Sequence, residues 1–461
     1  MMSYREVQDT MGVMHVPEAC YWGAQTQRSL ENFKIGQEKM PLELLYALVL
    51  VKKASAMANH ELGKLELEKR ELIVEVCDEI LAGRHDAHFP LRVWQSGSGT
   101  QTNMNVNEVI AFRGNVLANE RGISVRLHPN DDVNSSQSTN DTFPSAMRIA
   151  VYTLITGKLI PALSLLEEEL HRKALAFAAI VKTGRTHLMD ATPLTLGQEV
   201  DTWASQLSHG LSRLRKIMAS LLELPLGGTA VGNGLNTPEG YDGVVVRYVA
   251  ALSGVPFLPA PSKFEAMASH DALVACHGAL KGLAVSLMKI AHDVRLLGSG
   301  PRCGIGELRF PANEPGSSIM PGKVNPTQAE ALSMVCVQVI GNDTAVSLAG
   351  ANGHLQLNAN APVIILNMIH SINLLSDAAD SFARKVVVGL EASQEKITEH
   401  LNNSLMLVTA LNLHIGYEKA AQVAKLAFEK QLTLKQAAMQ LGYLSEEAFD
   451  RIVDPRKMAG L

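Results

Sequence analysis

The stretch GSSIMPGKVNP, residues 316–326, gathers two glycines, two adjacent serines, a lysine, an asparagine and two prolines. Gly316 and Gly322 permit backbone shapes that other residues resist and can turn N–H groups inward. Lys323 brings a positive charge and Asn325 two amide donors, which together make a clamp for a carboxylate. Ser317 and Ser318 are candidates for acid–base work or for binding. A hydroxyl is a poor base at neutral pH unless nearby N–H groups and a cation stabilise its oxyanion.

Three further polar clusters interrupt apolar sequence: SGSGTQTNMN (96–105), HPNDDVNSSQSTND (128–141) and TGRTHLMDATP (183–193). All are rich in Ser, Thr and Asn, whose short, directed donors suit the oxygens of a small polar anion. One such cluster would be an ordinary loop, but four point to a shared pocket. His187 stands in the third, after Arg185 and Thr186. A carboxylate such as Glu330, in the first turn of the helix that follows Pro326, would orient the imidazole and raise its basicity if the two met. The glycine-rich runs GSGPRCGIG (298–306) and GGTAVGNG (227–234) fit neither GxGxxG nor GxxxxGK[ST] after a strand. His85 and His88 have no third ligand patterned with them and read as surface residues. The chemistry is therefore expected to need no nucleotide, metal or other cofactor.

The elements that must position these residues are helices. Apolar residues make up 47% of the chain and aromatics only 5%, a balance that suits packed helices over aromatic-rich strands. Residues 40–83, 142–181, 199–222, 271–297 and 327–348 carry helical periodicity, with Pro161 expected to kink or break the second. The last two runs are apolar on almost every face, as at the centre of a bundle. Residues 83–107 read as turn-rich, and 183–193 as a loop between helical runs. No βαβ alternation is present, which argues against a parallel-sheet enzyme. Two short amphipathic segments, 402–428 and 433–451, suggest a small helical appendix. Its 433–449 stretch has the outline of a DNA-reading helix pair, but Lys435 is its only basic residue.

Lys and Arg number 41 against 46 Asp and Glu, so the net charge of −5 supplies no attraction for nucleic acid or an anionic membrane. No apolar run approaches the roughly 18 residues of a membrane helix. The N-terminus lacks the apolar stretch of a signal peptide. Cys20, Cys77, Cys276, Cys303 and Cys336 are unpatterned and read as free, small buried hydrophobes in a reducing compartment. A cytoplasmic enzyme is the expectation.

GSSIMPGKVNP resembles the signature of the aspartase/fumarase superfamily, whose members add or remove a small molecule across the double bond of a fumaryl group. DTMGVMHVPEACYWGAQTQRSLENF (9–33), SGSGTQTNMN, HPNDDVN, SQSTND, GRTHLMDATPLTLGQE, SGPRCGIGE and NNSLMLVTALNLHIGYEKAA (402–421) are similar to the class II fumarase branch. Thr139 and HLQLNANAPVI (354–364) lean toward aspartase, so an aspartate ammonia-lyase is the alternative; His187, MPGK and GAQTQRS lean toward fumarase.

The resemblance implies an all-α fold of three domains: 1–138, a long central helical bundle over 139–391, and a small C-terminal domain over 392–461. It implies a homotetramer whose active sites are each shared by three subunits. The implied reaction is reversible hydration of fumarate to L-malate through an aci-carboxylate intermediate. Ser317 would be the base at C3, and His187 with Glu330 would handle the hydroxyl. Ser98, Gly99, Thr100, Ser138, Thr139, Asn140, Thr186, Ser318, Lys323, Val324 and Asn325 would hold the substrate. His128, Pro129, Asn130 and Asp131 match an accessory carboxylate site. The resemblance implies no metal, cofactor, nucleic acid or membrane.

Overall fold

The helix Leu42–Glu61 shows why this sequence folds as it does. Leu44, Leu45, Leu48, Val49, Val51, Ala54 and Ala58 are buried, and they point to nearly every side of the helix. Such a helix is stable only when others enclose it, and Leu67–Leu81, Thr139–Leu154 and Tyr241–Ser253 all pack against it. The computed structural model describes residues 3–461. It contains two units. One holds the chain up to Ile160 with Ser212–Gly282 and Val337–Leu374; the other holds Pro161–Leu211, Leu283–Cys336 and Leu375–Leu461. The division falls inside the long helices Asp271–Leu297, Thr327–Ala351 and Ala361–Phe382.

The all-α expectation holds: among the described residues, strands occur only as two-stranded pairs. In the first unit, a hairpin of Tyr4–Asp9 and Gly12–Pro17 is tied down by Arg28, which donates to both Asp9 carboxylate oxygens at 2.8 and 2.9 Å. The GAQTQ segment that follows begins the helix Ala24–Asn32. Its free N–H groups are met by the buried carboxylate of Glu108, which accepts from Gly23 N at 2.8 Å, Gln25 N at 2.9 Å and Thr26 Oγ1 at 2.6 Å. A carboxylate at a helix N-terminus satisfies both the orphan donors and the dipole.

Several local expectations are corrected. The turn-rich reading of 83–107 ends at Gly99, because Thr100–Glu120 is a helix. Its Asn and Thr side chains are buried and bonded rather than solvated: Thr102 Oγ1 donates to Gln95 Oε1 at 2.9 Å and Asn105 Nδ2 to the His88 carbonyl at 3.1 Å. Pro161 does not break its helix. The wide turn Ile155–Leu159 precedes it and re-routes the carbonyls that proline cannot satisfy. The helical reading to 181 stops at Ala176, and the expected loop over 183–193 is a β-hairpin, Val181–Thr186 with Met189–Thr195. His85 and His88 are half-buried and partnered: His85 Nε2 lies 2.8 Å from Glu79 Oε2, and His88 stacks on Tyr21. Cys303 is exposed, unlike buried Cys77, Cys276 and Cys336.

By length and composition four helices could cross a membrane, Thr139–Ala176, Asp271–Leu297, Thr327–Ala351 and Ala361–Val387, which corrects the expectation that no apolar run suffices. Three of them share a buried polar cluster in the first unit. His277 reaches Asp343 Oδ1 at 3.1 Å and Ser371 Oγ at 2.9 Å, and Asn342 Nδ2 donates to Ser371 Oγ at 2.9 Å. In the second unit, the tail has its own apolar core, including Leu411, Val423, Ala437 and Ala438. Its Lys435, the basic residue of the 433–449 stretch, is engaged by Asp450 Oδ1 at 2.7 Å and Glu446 Oε1 at 3.3 Å, so that cation is already paired with carboxylates.

Burial lowers His270 in the first unit from 6.5 to about 4. The unfolded chain then binds a proton near pH 6.5 and the folded chain only near 4, so stability falls as pH falls through that window. His270→Asn should therefore lose less stability than the parent between pH 6.5 and pH 4.5, read as urea midpoints. Equal losses would remove His270 from the acid response.

Candidate active site

In the second unit, the 316–326 loop is closed by its own backbone. Gly316 N donates to the Lys323 carbonyl at 2.8 Å, and Asn325 Nδ2 donates to the Gly316 carbonyl at 2.6 Å. A side chain at 316 would meet that lysine carbonyl at 2.4 Å, so glycine is required there by close approach. The turn aims two N–H groups at one oxygen: Ser317 Oγ accepts from Ile319 N at 3.3 Å and from Met320 N at 3.1 Å. Two donors on a hydroxyl oxygen favour its ionised form. Lys323 sits on the same loop, with its exposed ammonium free of any partner among the described residues. Ser318 and Val324 are exposed beside it.

The hairpin of the same unit carries His187 and Leu188 as its two-residue turn. Both have left-handed backbones, with φ of 56° and 60°. A two-residue turn of this hand matches strand twist but favours Asn and Gly; each non-glycine residue in it costs on the order of 1 kcal/mol. The imidazole is thus exposed at a strained tip, next to exposed Thr186.

The hairpin is anchored from behind by a buried carboxylate. Glu307 receives Arg185 Nη2 at 2.8 Å, lies 3.0 Å from Lys182 Nζ and 3.1 Å from His400 Nδ1. Burial alone would raise the Glu307 carboxyl, but Arg185 and Lys182 outweigh it and hold it below the usual carboxylate range. Glu307 belongs to the SGPRCGIGE motif, whose positioning role sequence reasoning did not assign. Glu330 faces Arg295 at 3.8 Å within the chain, not His187. Both side chains of that pair are about half-exposed, so their attraction is weak.

The first unit holds the other clusters. Ser98 Oγ lies 2.7 Å from Thr100 Oγ1 and 3.0 Å from Ser96 Oγ, a chain of hydroxyls at the start of Thr100–Glu120. Gly99 caps that helix with φ 78°, and any side chain there would strike the Phe143 ring. Gly97 lies so close to Ala359 that a Cβ would fall 1.6 Å from its carbonyl oxygen, which seats the NANAP stretch against this loop. Ser138 caps Thr139–Leu154, and Asp141 completes a capping box by accepting from Ser138 N at 2.9 Å.

Asp141 also binds a segment that sequence reasoning set aside. Its Oδ2 accepts from Gly227 N at 2.9 Å and Thr229 N at 3.0 Å, and Asn140 Nδ2 donates to the Ala230 carbonyl at 2.9 Å. The run GGTAVGNG is therefore tied to the 138–141 cluster, although its glycines match no nucleotide motif. Burial pushes the Asp141 carboxyl up to about 6 against these N–H bonds. His128, Asn130 and Asp131 form an exposed turn after Leu127, with half-buried Pro129 between them; Asp131 N donates to His128 Nδ1 at 3.2 Å. Among the described residues no His, Cys, Asp and Glu side chains group as a metal site.

What the serine loop can do is take a proton from carbon beside a carboxylate and shelter the charge left behind, which is the work of a lyase. Comparison with known proteins agrees. A lyase family profile matches residues 12–341, and a fumarase C C-terminus profile matches residues 407–460. Fumarate hydratase class II of Halalkalibacterium halodurans is 56% identical over 457 residues, covering 99% of both chains. The enzyme of the same name from Pasteurella multocida is 56% identical over 461 residues, covering 100% of this chain and 99% of its own. The crystal structure of a class II fumarase from Schistosoma mansoni superposes with a TM-score of 0.96 at 42% identity, over 99% of each chain. The chain belongs to the class II fumarase family.

The strained turn makes one variant especially clean. Asn tolerates the left-handed region better than His, so His187→Asn should keep the melting temperature of the parent or raise it. A marked drop in melting temperature would show that the imidazole itself supports the hairpin.

Proposed function

We propose that this chain interconverts fumarate and L-malate by anti elimination and addition of water. The observation that carries the reading is Ser317 Oγ under two backbone N–H groups on the loop that also bears Lys323. The C3 proton of malate is barely acidic, and its removal places charge on the neighbouring carboxylate as an aci-form. Ser317 takes that proton. Lys323, Asn325 and the loop N–H groups stabilise the charge, which is greater in the transition state than in the bound substrate. His187 handles the departing hydroxyl. Ser98, Thr100, Ser138, Thr139, Asn140, Thr186 and Ser318 hold the two carboxylates, with Gly99 and Val324 shaping the walls. The exposed turn His128–Asp131 is an accessory carboxylate site. Full-length relatives named fumarate hydratase favour hydration over ammonia loss.

The functional unit is a homotetramer with each active site drawn from three subunits. Two observations support this. Glu330 lies 3.8 Å from Arg295 in its own chain and makes no contact with His187 there, which is consistent with a partnership supplied by another copy. The helix Thr327–Ala351 exposes Met334, Val337 and Leu348, at 67%, 63% and 68%, along one stripe that water would otherwise cover. Three helical domains, 1–138, 139–391 and 392–461, are the organisation we assign; the separate apolar core of the tail supports the last. The five free thiols suit a reducing, cytoplasmic setting.

Purified protein given L-malate in one cuvette and L-aspartate in another should develop fumarate absorbance from malate alone; signal from aspartate alone would overturn hydration. In the same assay His187→Asn should lower turnover by about 10²–10⁴, and an unchanged rate would remove the imidazole from the chemistry. Lys323→Ala should lose at least about 3 kcal/mol of transition-state stabilisation. A rise in KM with kcat preserved would make the lysine a uniform binding group instead.

A further inference from the structure

Lys52, on the helix Leu42–Glu61, is fully buried and takes no part in the chemistry above. Its ammonium donates to Asn134 Oδ1 and Gln137 Oε1, each at 2.9 Å. Both acceptors are neutral amides, an expensive setting for a buried charge. Burial lowers the ammonium to about 7, against the charge of Asp141; Asp141 and the Cys77 thiol are the titratable groups that face it.

The two amides belong to a segment held from several sides. Asn134 Oδ1 also accepts from Asn103 Nδ2 and Asn107 Nδ2 at 3.1 Å each. Gln137 Nε2 donates to the carbonyls of Val133 and Ser135 at 3.0 Å each. Asn59 Nδ2 donates to the Ser135 carbonyl at 3.0 Å, and Ser136 Oγ donates to Asn59 Oδ1 at 2.7 Å. The next residues along the chain are Ser138, Thr139 and Asn140.

We propose that Lys52 is a positioning residue for substrate binding: it locks residues 134–137 from beneath, sets where Ser138, Thr139 and Asn140 present their donors, and lends its charge to a dianion held there. The inference rests on reading 138–140 as a carboxylate-holding segment. A tether alone would be served by a neutral donor with a smaller desolvation penalty. A cation behind the start of Thr139–Leu154 adds to the positive end of that helix.

The test compares the full-length parent with Lys52→Met and Ser136→Gly, each checked by far-UV circular dichroism and light scattering. Ser136 has φ 61°, so glycine relaxes its backbone while removing the Asn59 tether, and this variant keeps the experiment readable should Lys52→Met fail to fold. The readouts are kcat and KM for L-malate and the calorimetric Kd of succinate, an unreactive four-carbon dicarboxylate. KM and Kd should rise about tenfold or more in Lys52→Met and about twofold to fivefold in Ser136→Gly, with kcat within about threefold of the parent. A merely structural lysine would lower the melting temperature and leave KM and Kd in place. Parent-like KM and Kd in folded Lys52→Met, or in Ser136→Gly if the first does not fold, would overturn the inference. A parent that binds succinate yet leaves malate unchanged would overturn the assigned reaction, while Kd still tests the positioning. A parent that binds no succinate would sink both.

Discussion

The Asp141 carboxylate, fully buried at the start of Thr139–Leu154, is the contact on which the polar clusters of the first unit depend. It accepts from Ser138 N, Gly227 N and Thr229 N, so one side chain joins a helix cap to a glycine-rich turn 86 residues further along. A buried carboxylate is costly unless its lone pairs are met. Here they are met by backbone donors that would otherwise be orphaned at a helix end and in an irregular loop. The same groups that satisfy the charge are thereby fixed in place, and Asn140, Ala230 and Thr229 follow.

Glu307 does the equivalent work in the other unit, with side-chain cations in place of backbone donors. Lys182, Arg185 and His400 converge on it, and two of these three lie on the strand that leads into His187. Breaking one partner of such a buried group leaves an uncompensated charge, worth roughly 3–5 kcal/mol. That rigid base lets the hairpin keep His187 and Leu188 in left-handed backbone at its tip. Strain at the tip and charge pairing at the base are two sides of one device: the imidazole of His187 is held exposed on a strand that Glu307 anchors from behind.

The serine loop uses a third solution. It has neither a buried charge nor a regular element, only glycines, prolines and the Gly316–Lys323–Asn325 closure. This economy of parts was largely legible in the residues, because a tight turn with Gly at a close approach and Ser ahead of it can do little else than aim N–H groups at the hydroxyl. The long buried helices were equally legible, since apolar periodicity on several faces demands enclosure. Apolar length, by contrast, was underestimated with respect to membranes. Four helices are apolar enough to span one, yet the polar cluster of His277, Asp343 and Ser371 lies between three of them.

By itself the sequence determined the helical class, the family, and which residue types could bind a dicarboxylate and move a proton, because those properties reside in local composition and short motifs. Tertiary structure alone decided that residues 183–193 are a hairpin, that 100–107 are helix, that Lys52 and Asp141 are buried at the 134–141 segment, and that Glu307 anchors the hairpin. The physical reason is distance along the chain. Arg185 and Glu307 are 122 residues apart and Lys52 and Asn134 are 82 apart, and a buried charge finds its partner only once the helices between them have packed. A single chain also turns Glu330 toward Arg295, so the orientation of that carboxylate follows from tertiary packing and not from its motif.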